Sequence, residues 1–203
     1  ADVTDCVFRS IIAKYSRHGE KGGGPDVFWT EFVSADGLAN EKGREALIVD
    51  LAYSENEKPI VAQLFGANTE TMQSAAELCR ELKFDGIDIN MGCPDRSIEK
   101  SRSGAYDIKD RVLAKSILEA ARRGAGPLPV SVKTRIGYNH VDWDWVKEVL
   151  SWKLPVATFH LRTRKEMSLV PAHWDLMPEI IRLRDEISPE TLIIGNGDAA
   201  GLD

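Results

Sequence analysis

Apolar and polar positions follow two alternating periods along the chain. Short apolar runs rich in β-branched and aromatic residues, bounded by turn residues, recur at Val27–Val33, Pro59–Phe65, Gly86–Asn90, Pro129–Thr134, Val156–Leu161 and Leu192–Gly195. Runs of that length between such boundaries predict buried strands. Between them the period lengthens to that of a helix. Over Thr69–Lys83, Met72, Ala75, Ala76, Cys79 and Leu82 fall at helical spacing beside Glu70, Glu77, Arg80 and Glu81, giving one apolar face and one wet face. A second helix is predicted over Lys109–Arg123, with Leu113, Ile117, Ala120 and Ala121 inward and Gly124 placed to end it. Others are predicted from Thr4 to Ser16 and from near Trp143 and Trp174.

Strand and helix in alternation mean βαβ units and a parallel sheet, hence an α/β fold. The strands recur about every 33 residues, so eight units need about 260, the usual size of a (β/α)8 barrel. The chain has 203 residues, opens on a helix without an initiator methionine, and stops just after a strand-to-loop transition. The expectation is a TIM (β/α)8-type barrel that is incomplete, its first strand and last β/α unit missing. It is expected to be one domain over 1–203 with no internal linker. Arg17–Asp26, carrying Gly22, Gly23, Gly24 and Pro25, reads as a helix-to-strand loop.

Composition narrows the class. With 43% hydrophobic residues the chain is not disordered, and no apolar run is long enough to span a membrane. Cysteines at 6, 79 and 93 are too far apart for a metal-binding or redox CxxC pair, which fits a reducing cytoplasm and no metal. The 26 Lys and Arg against 32 Asp and Glu give a net charge of −6, which argues against blanket nucleic-acid binding but leaves room for a local basic patch.

Candidate chemistry collects at the strand ends. Side chains two apart on a strand share a face, which in a barrel is the interior near the mouth. Gln63 in PIVAQLFG, Asp88 and Asn90 in IDIN, Lys133 and Arg135 in SVKTRIG, His160 and Arg162 in TFHLRTR, and Asn196 and Asp198 in IIGNGD all fall near the C-terminal ends of their strands. Barrel active sites sit there. Each has a structural alternative: Lys133 paired with Asp88, His160 as a satisfied core histidine, Gln63 and Asn90 as strand-end caps. The Gly195–Gly201 loop is either a tight turn or a set of backbone N–H groups for an anion, with Gly197 next to Asn196 and Asp198. Cys6 and Cys79 read as inert packing residues, whereas Cys93, between Gly92 and Pro94 just after a strand, presents a thiol to the rim. A thiol with a pKa of about 8.5 is a proton donor at neutral pH without activation; as a nucleophile it would need a base such as His160.

The blocks VTDCVFR (3–9), TEFVSADGL (30–38), PIVAQLFG (59–66), GIDINMGCP (86–94), VKTRIG (132–137), HLRTRKE (160–166) and IGNGD (194–198) together resemble the tRNA-dihydrouridine synthase family. The resemblance implies an FMN-dependent TIM barrel that reduces uridine in tRNA to 5,6-dihydrouridine with NADPH as reductant. Hydride passes to C6 of the uracil and the loop cysteine, here Cys93, protonates C5. By position in their motifs, Gln63, Lys133 and His160 match residues that hold the flavin and ribityl parts. Asn196, Gly197 and Asp198 match the phosphate end, and Asn90 matches the uracil edge. Arg162 is assigned to the substrate. The target base must leave its stack to reach the flavin.

This chain departs from the family pattern after the cysteine loop, where a glycine-rich K-x-G-x-G-A stretch followed by aliphatics is replaced by Lys100-Ser101-Arg102-Ser103-Gly104-Ala105-Tyr106-Asp107. Arg102 is expected either to alter that loop or to add a phosphate contact, and Leu161, at a position where many members have glycine, to crowd the flavin side. The family's N-terminal strand, last barrel strand and C-terminal helical tRNA-binding domain are expected to be absent, leaving sheet edges near 27–33 and 191–195 and weak FMN binding. The complete protein is expected to be monomeric. Arg96, Lys100, Arg102, Arg135, Arg162, Arg164 and Lys165 form a candidate basic rim for tRNA, and the five tryptophans read mostly as packing residues. Two rival readings remain: another FMN barrel acting on a free pyrimidine or enone, and a non-catalytic RNA-binding remnant.

Overall fold

The computed structural model describes residues 3–199. Among them six strands, β1 (Phe28–Ser34), β2 (Ile60–Phe65), β3 (Gly86–Met91), β4 (Val130–Arg135), β5 (Val156–His160) and β6 (Leu192–Asn196), pair in chain order. The registers of β1 on β2, β4 on β5 and β5 on β6 are parallel. Helix α1 (Cys6–Tyr15) precedes β1. The others lie between strands: α2 (Ala35–Ala39) and α3 (Glu41–Leu47), α4 (Thr69–Glu81), α5 (Arg96–Lys100) and α6 (Arg111–Ala125), α7 (Trp143–Ser151) and α8 (Met177–Ile187). This is the α/β order expected of a (β/α)8-type barrel, represented by six of its strands. β1 and β6 end the order, and Leu192 and Ile194 on β6 are 64% and 37% exposed.

Contacts divide the chain into two compact units, Ala1–Asp88 with Glu119–Pro129, and Ile89–Leu118 with Val130–Asp203. In the first, Leu38, Ile60, Leu64, Met72, Ala76 and Cys79 are fully or almost fully buried. Burial pushes the Cys79 thiol up to about 12, as suits an inert core cysteine. Gly124 does not end α6. The helix continues to Ala125, and Gly126, at φ +61°, is the left-handed residue that follows it. A Cβ on Gly124 would lie 2.1 Å from the Gln73 carbonyl oxygen and 2.9 Å from Ala76 Cβ. That glycine therefore serves close helix packing.

Cys6 also differs from its expected role. It is half-buried, and its thiol donates to Glu57 Oε1 at 3.3 Å. Glu57 is fully buried and paired with Arg9, which is 3% exposed. Arg9 Nε donates to Glu57 Oε2 at 2.5 Å, Nη1 to the Thr4 carbonyl at 2.6 Å and Nη2 to the Ala52 carbonyl at 2.7 Å. Ser10 Oγ and the Ser54 amide also donate to Glu57. The polar side of α1 is thus tied to the segment before β2 by one ion pair with its lone pairs largely satisfied.

The second unit buries Met91, Val132, Ile136, Trp145 and Phe159. Trp145 Nε1 donates to Thr134 Oγ1 at 3.1 Å, which donates in turn to the Met91 carbonyl at 2.9 Å. The indole thereby finds a partner while its ring fills the core and meets Trp152 edge-on at 5.6 Å. Trp145 and Trp152 are packing residues as expected; Trp174 is 41% exposed and has another use, described below.

Candidate active site

Three parallel strands of the second unit set out a row of polar side chains. Arg135, His160 and Asn196 are direct neighbours across β4, β5 and β6, and Lys133 pairs with Thr158 two residues earlier. In-register residues of parallel strands share a face, so Lys133, Arg135, His160 and Asn196 lie on one side of the sheet.

His160 is half-buried among cations. Burial first, then Arg135, Lys133 and Arg162, pull its pKa down to about 4, against the opposing pull of Asp198. Arg162 Nη1 lies 3.1 Å from His160 Nε2. A guanidinium can only donate, so Nε2 is the acceptor and Nδ1 carries the imidazole proton. His160 is therefore a neutral donor at pH 7, not a base held ready in its charged form. Its folded pKa is below the unfolded value of 6.5, so the stability this group contributes is present above pH 6.5. That stability is lost as the pH falls from there through about 4. We expect the His160 imidazole in an NMR titration to stay neutral down to pH 5. A midpoint near 6.5 would show that neither burial nor the surrounding cations act on it.

Arg162 is 5% exposed, and each of its guanidinium nitrogens meets protein: Nε donates to the Val170 carbonyl at 2.6 Å, Nη1 meets His160, and Nη2 donates to Asp198 Oδ2 at 2.5 Å. Through these contacts Arg162, assigned to the substrate by the resemblance, braces the loop after β5 against the loop after β6. Asp198 also accepts from the Ala172 amide at 2.9 Å, and both contacts hold its carboxyl below the ordinary value. Gly197 takes φ +117°, which strains any side chain, and is tightly packed: a Cβ would lie 3.0 Å from Ala172 Cβ and 3.2 Å from the His160 ring. The Trp174 indole N–H donates to the Gly197 carbonyl at 2.8 Å, and a Cβ on Gly195 would meet the Trp174 ring at 2.6 Å. Residues 200 and 201 of the expected anion loop lie outside the described residues.

The cysteine loop is fixed at several points. Asn90 Oδ1 accepts from the Gly92 and Cys93 amides at 3.1 and 2.9 Å, and the Cys93 carbonyl accepts from the Ala105 amide at 2.9 Å. Arg135, 6% exposed, donates from Nε to the Gly92 carbonyl at 2.9 Å and from Nη1 to the carbonyls of Thr163 and Met167 at 3.0 and 2.8 Å. One side chain therefore joins the loops after β3 and β5. Burial raises the Cys93 thiol pKa, and the nearby charges of Arg135 and Lys133 oppose the shift without reversing it. Cys93 is half-buried and holds its proton at neutral pH.

The segment after the cysteine loop keeps a glycine-like path. Arg102 takes φ +61° itself, and its guanidinium pairs with Asp110 at 2.7 Å. Gly104, at φ +66°, sits so close that a Cβ would lie 2.8 Å from the Cys93 carbonyl oxygen. Asp107 is 1% exposed, and its Oδ1 has no hydrogen-bond partner; burial first and Asp110 second push its carboxyl well above the ordinary range, favouring the protonated form. Leu161 is fully buried. Gln63 and Asp88 lie together in the first unit, Gln63 Nε2 donating to Asp88 Oδ2 at 2.7 Å, both buried. Arg135 and Arg162 are likewise too buried to belong to an exposed basic rim; Arg96, Lys100, Arg102 and Lys165 are exposed.

The sequence marks Arg135 as a rim cation and Trp174 as a packing residue, whereas the structure uses them as the loop tie and the cover of the glycine loop. Each acts on main-chain carbonyls, which carry no residue signature. Among the described residues no group of three or more His, Cys, Asp or Glu could hold a metal ion, and no helix is long and apolar enough to cross a membrane.

A family model described as dihydrouridine synthase (Dus) matches residues 1–202. The chain is 42% identical over 199 residues to the probable tRNA-dihydrouridine synthase 2 of Bacillus subtilis (strain 168) and to the probable tRNA-dihydrouridine synthase of Staphylococcus aureus (strain COL). It is 41% identical to that of Staphylococcus epidermidis (strain ATCC 12228 / FDA PCI 1200). Each alignment covers 97% of this chain and 58% of the relative, so the chain spans under two thirds of the length of these relatives.

Proposed function

The chain belongs to the dihydrouridine synthase family, and from that premise we propose that it carries the main catalytic part of an enzyme reducing uridine in tRNA to 5,6-dihydrouridine. The observation that carries the reading is the half-buried Cys93 thiol on a loop fixed by Asn90, Arg135 and Ala105, where burial favours the protonated form and the charges of Arg135 and Lys133 act on it.

The donor set suits FMN. Lys133, Arg135 and Arg162 give the strand face a positive field that adds to burial in keeping His160 neutral, and such a field favours a bound group that carries phosphate and gains negative charge on reduction. Lys133 would hold the ring, with the His160 Nδ1–H as a second donor. Asn196, Gly197 and the Arg162-neutralised Asp198 would hold the phosphate end. Gln63 is assigned to the same cofactor from its VAQLFG motif. Bound FMN, reduced by NADPH, supplies the hydride received at C6 of the uracil. Cys93 gives its Sγ proton to C5; the thiolate left behind is stabilised by the charges of Arg135 and Lys133 and regains a proton from solvent. Asn90, whose carbonyl oxygen sets the cysteine loop, would take the uracil edge, and Arg162 would serve the substrate by positioning Asp198 and His160. The complete enzyme is placed in the cytoplasm as a monomer.

Purification of the complete protein should yield stoichiometric chromophore that, after denaturation, runs with authentic FMN. Lys133→Ala should lose most of it. Absence of flavin together with failure to bind added FMN would reject the enzyme reading and favour an RNA-binding remnant.

A further inference from the structure

Beyond the candidate site, the loops after β3, β4 and β5 place cations and aromatic rings in alternation. Lys109 Nζ lies 4.6 Å from the centre of the Tyr106 ring and 4.3 Å from that of Tyr138. Arg102 lies 5.6 Å from Tyr106, and Arg164 lies 5.6 Å from Tyr138. The order is Arg102, Tyr106, Lys109, Tyr138, Arg164, all within one compact unit.

The cations differ in how their charge is met. Arg102 pairs with Asp110 and Arg164 with Glu99, which also accepts from the Tyr138 hydroxyl at 2.7 Å. Lys109 is exposed and, among the described residues, has no carboxylate in ion-pair contact; two ring faces hold it instead. A carboxylate cancels a cation's charge, whereas an aromatic face restrains the cation and leaves its net charge in place. Restraint also removes part of the side-chain entropy that a surface lysine loses on binding. The segment carrying Lys109 is tied to the catalytic loop, since Ala105 donates to the Cys93 carbonyl and Gly104 abuts it.

We propose that Lys109, held between Tyr106 and Tyr138, is a phosphate clamp for the backbone of the RNA whose uridine reaches Cys93. The clamp rests on the reading of tRNA as substrate. A phosphodiester backbone supplies the fixed anion this cation lacks, while Arg102 and Arg164, each met by a carboxylate, flank the two rings.

The test uses the complete protein and an unmodified tRNA transcript, with the dissociation constant measured across a salt series. Lys109→Met, which keeps the stem and removes the charge, should weaken binding severalfold at low salt and lower the salt slope by about one. Tyr106→Leu removes no charge yet should weaken binding through loss of restraint, and Lys109→Arg should restore the slope. A lower melting temperature with unchanged affinity and slope would make the strip a clamp between loops only and overturn the proposal, as would unchanged affinity in both variants. Dihydrouridine formation by the wild-type protein is scored separately by mass spectrometry. Turnover with variant-insensitive binding removes the clamp and leaves the function; clamp-dependent binding without turnover removes the function and leaves the clamp. A wild-type protein that does not bind the transcript overturns the clamp.

Discussion

If Cys93 is the proton donor proposed above, Cys93→Ala in the complete protein should lower single-turnover dihydrouridine formation by about 10²–10⁴, the range that a positioned general acid contributes. The substitution takes away only the Sγ. The contacts that fix the loop run through backbone atoms, from Asn90 to the Gly92 and Cys93 amides and from Ala105 to the Cys93 carbonyl, so the alanine variant keeps the loop. Flavin absorbance of the purified variant checks that the cofactor site is intact. Because burial raises the thiol pKa, the donor form is present through neutral pH and is lost as the pH climbs through the raised value. The wild-type rate should therefore fall on the alkaline side, and that limb should vanish in the alanine variant. A variant rate within threefold of wild type, with flavin bound, would remove Cys93 as the acid.

Arg9→Met should destabilise the protein by about 3–5 kcal/mol, because it leaves the Glu57 charge buried without its partner. The same change strips donors from the carbonyls of Thr4 and Ala52. In a chain of this size such a loss lowers the melting temperature on the order of 10 °C. The double variant Arg9→Met, Glu57→Leu should recover a large part of it, since removing both charges also removes the unpaired one. By contrast Arg182 and Glu179, 52% and 41% exposed, form a surface pair whose loss should be within about 1 kcal/mol. Thermal or urea unfolding of the three variants decides the matter: a single variant as stable as wild type would mean that solvent or rearranged neighbours satisfy Glu57.

The expected strands reappear with boundaries shifted by no more than about a residue or two, the precision local patterns allow. A strand buried on both faces must be written in β-branched and aromatic residues, and the turns around it in Gly, Pro and Asp, so both signals are local. Gly124 shows the limit of that reading. Its place after two arginines reads as a stop, yet it marks a close approach to the Gln73 carbonyl, fifty residues away in the chain. Cys6 shows the same limit, since its partners Ser54 and Glu57 lie about fifty residues on. Short helices such as α2, α3 and α5 carry too few residues for a periodic stripe; their caps, Ser34, Asn40 and Asp95, are the signal that was there to find.

By itself the sequence determined the α/β class, the strand order implied by alternation, and the residue types at the strand ends, through alternation of period two and motifs of a few residues. Tertiary structure alone decided how those residues are used: which cations are buried as braces, which nitrogen of His160 carries the proton, and which lysine two tyrosine rings hold. Each of these depends on main-chain carbonyls, ring faces and charges brought together from distant parts of the chain, and electrostatic and hydrogen-bond energies depend on distance and burial, which residue order does not specify.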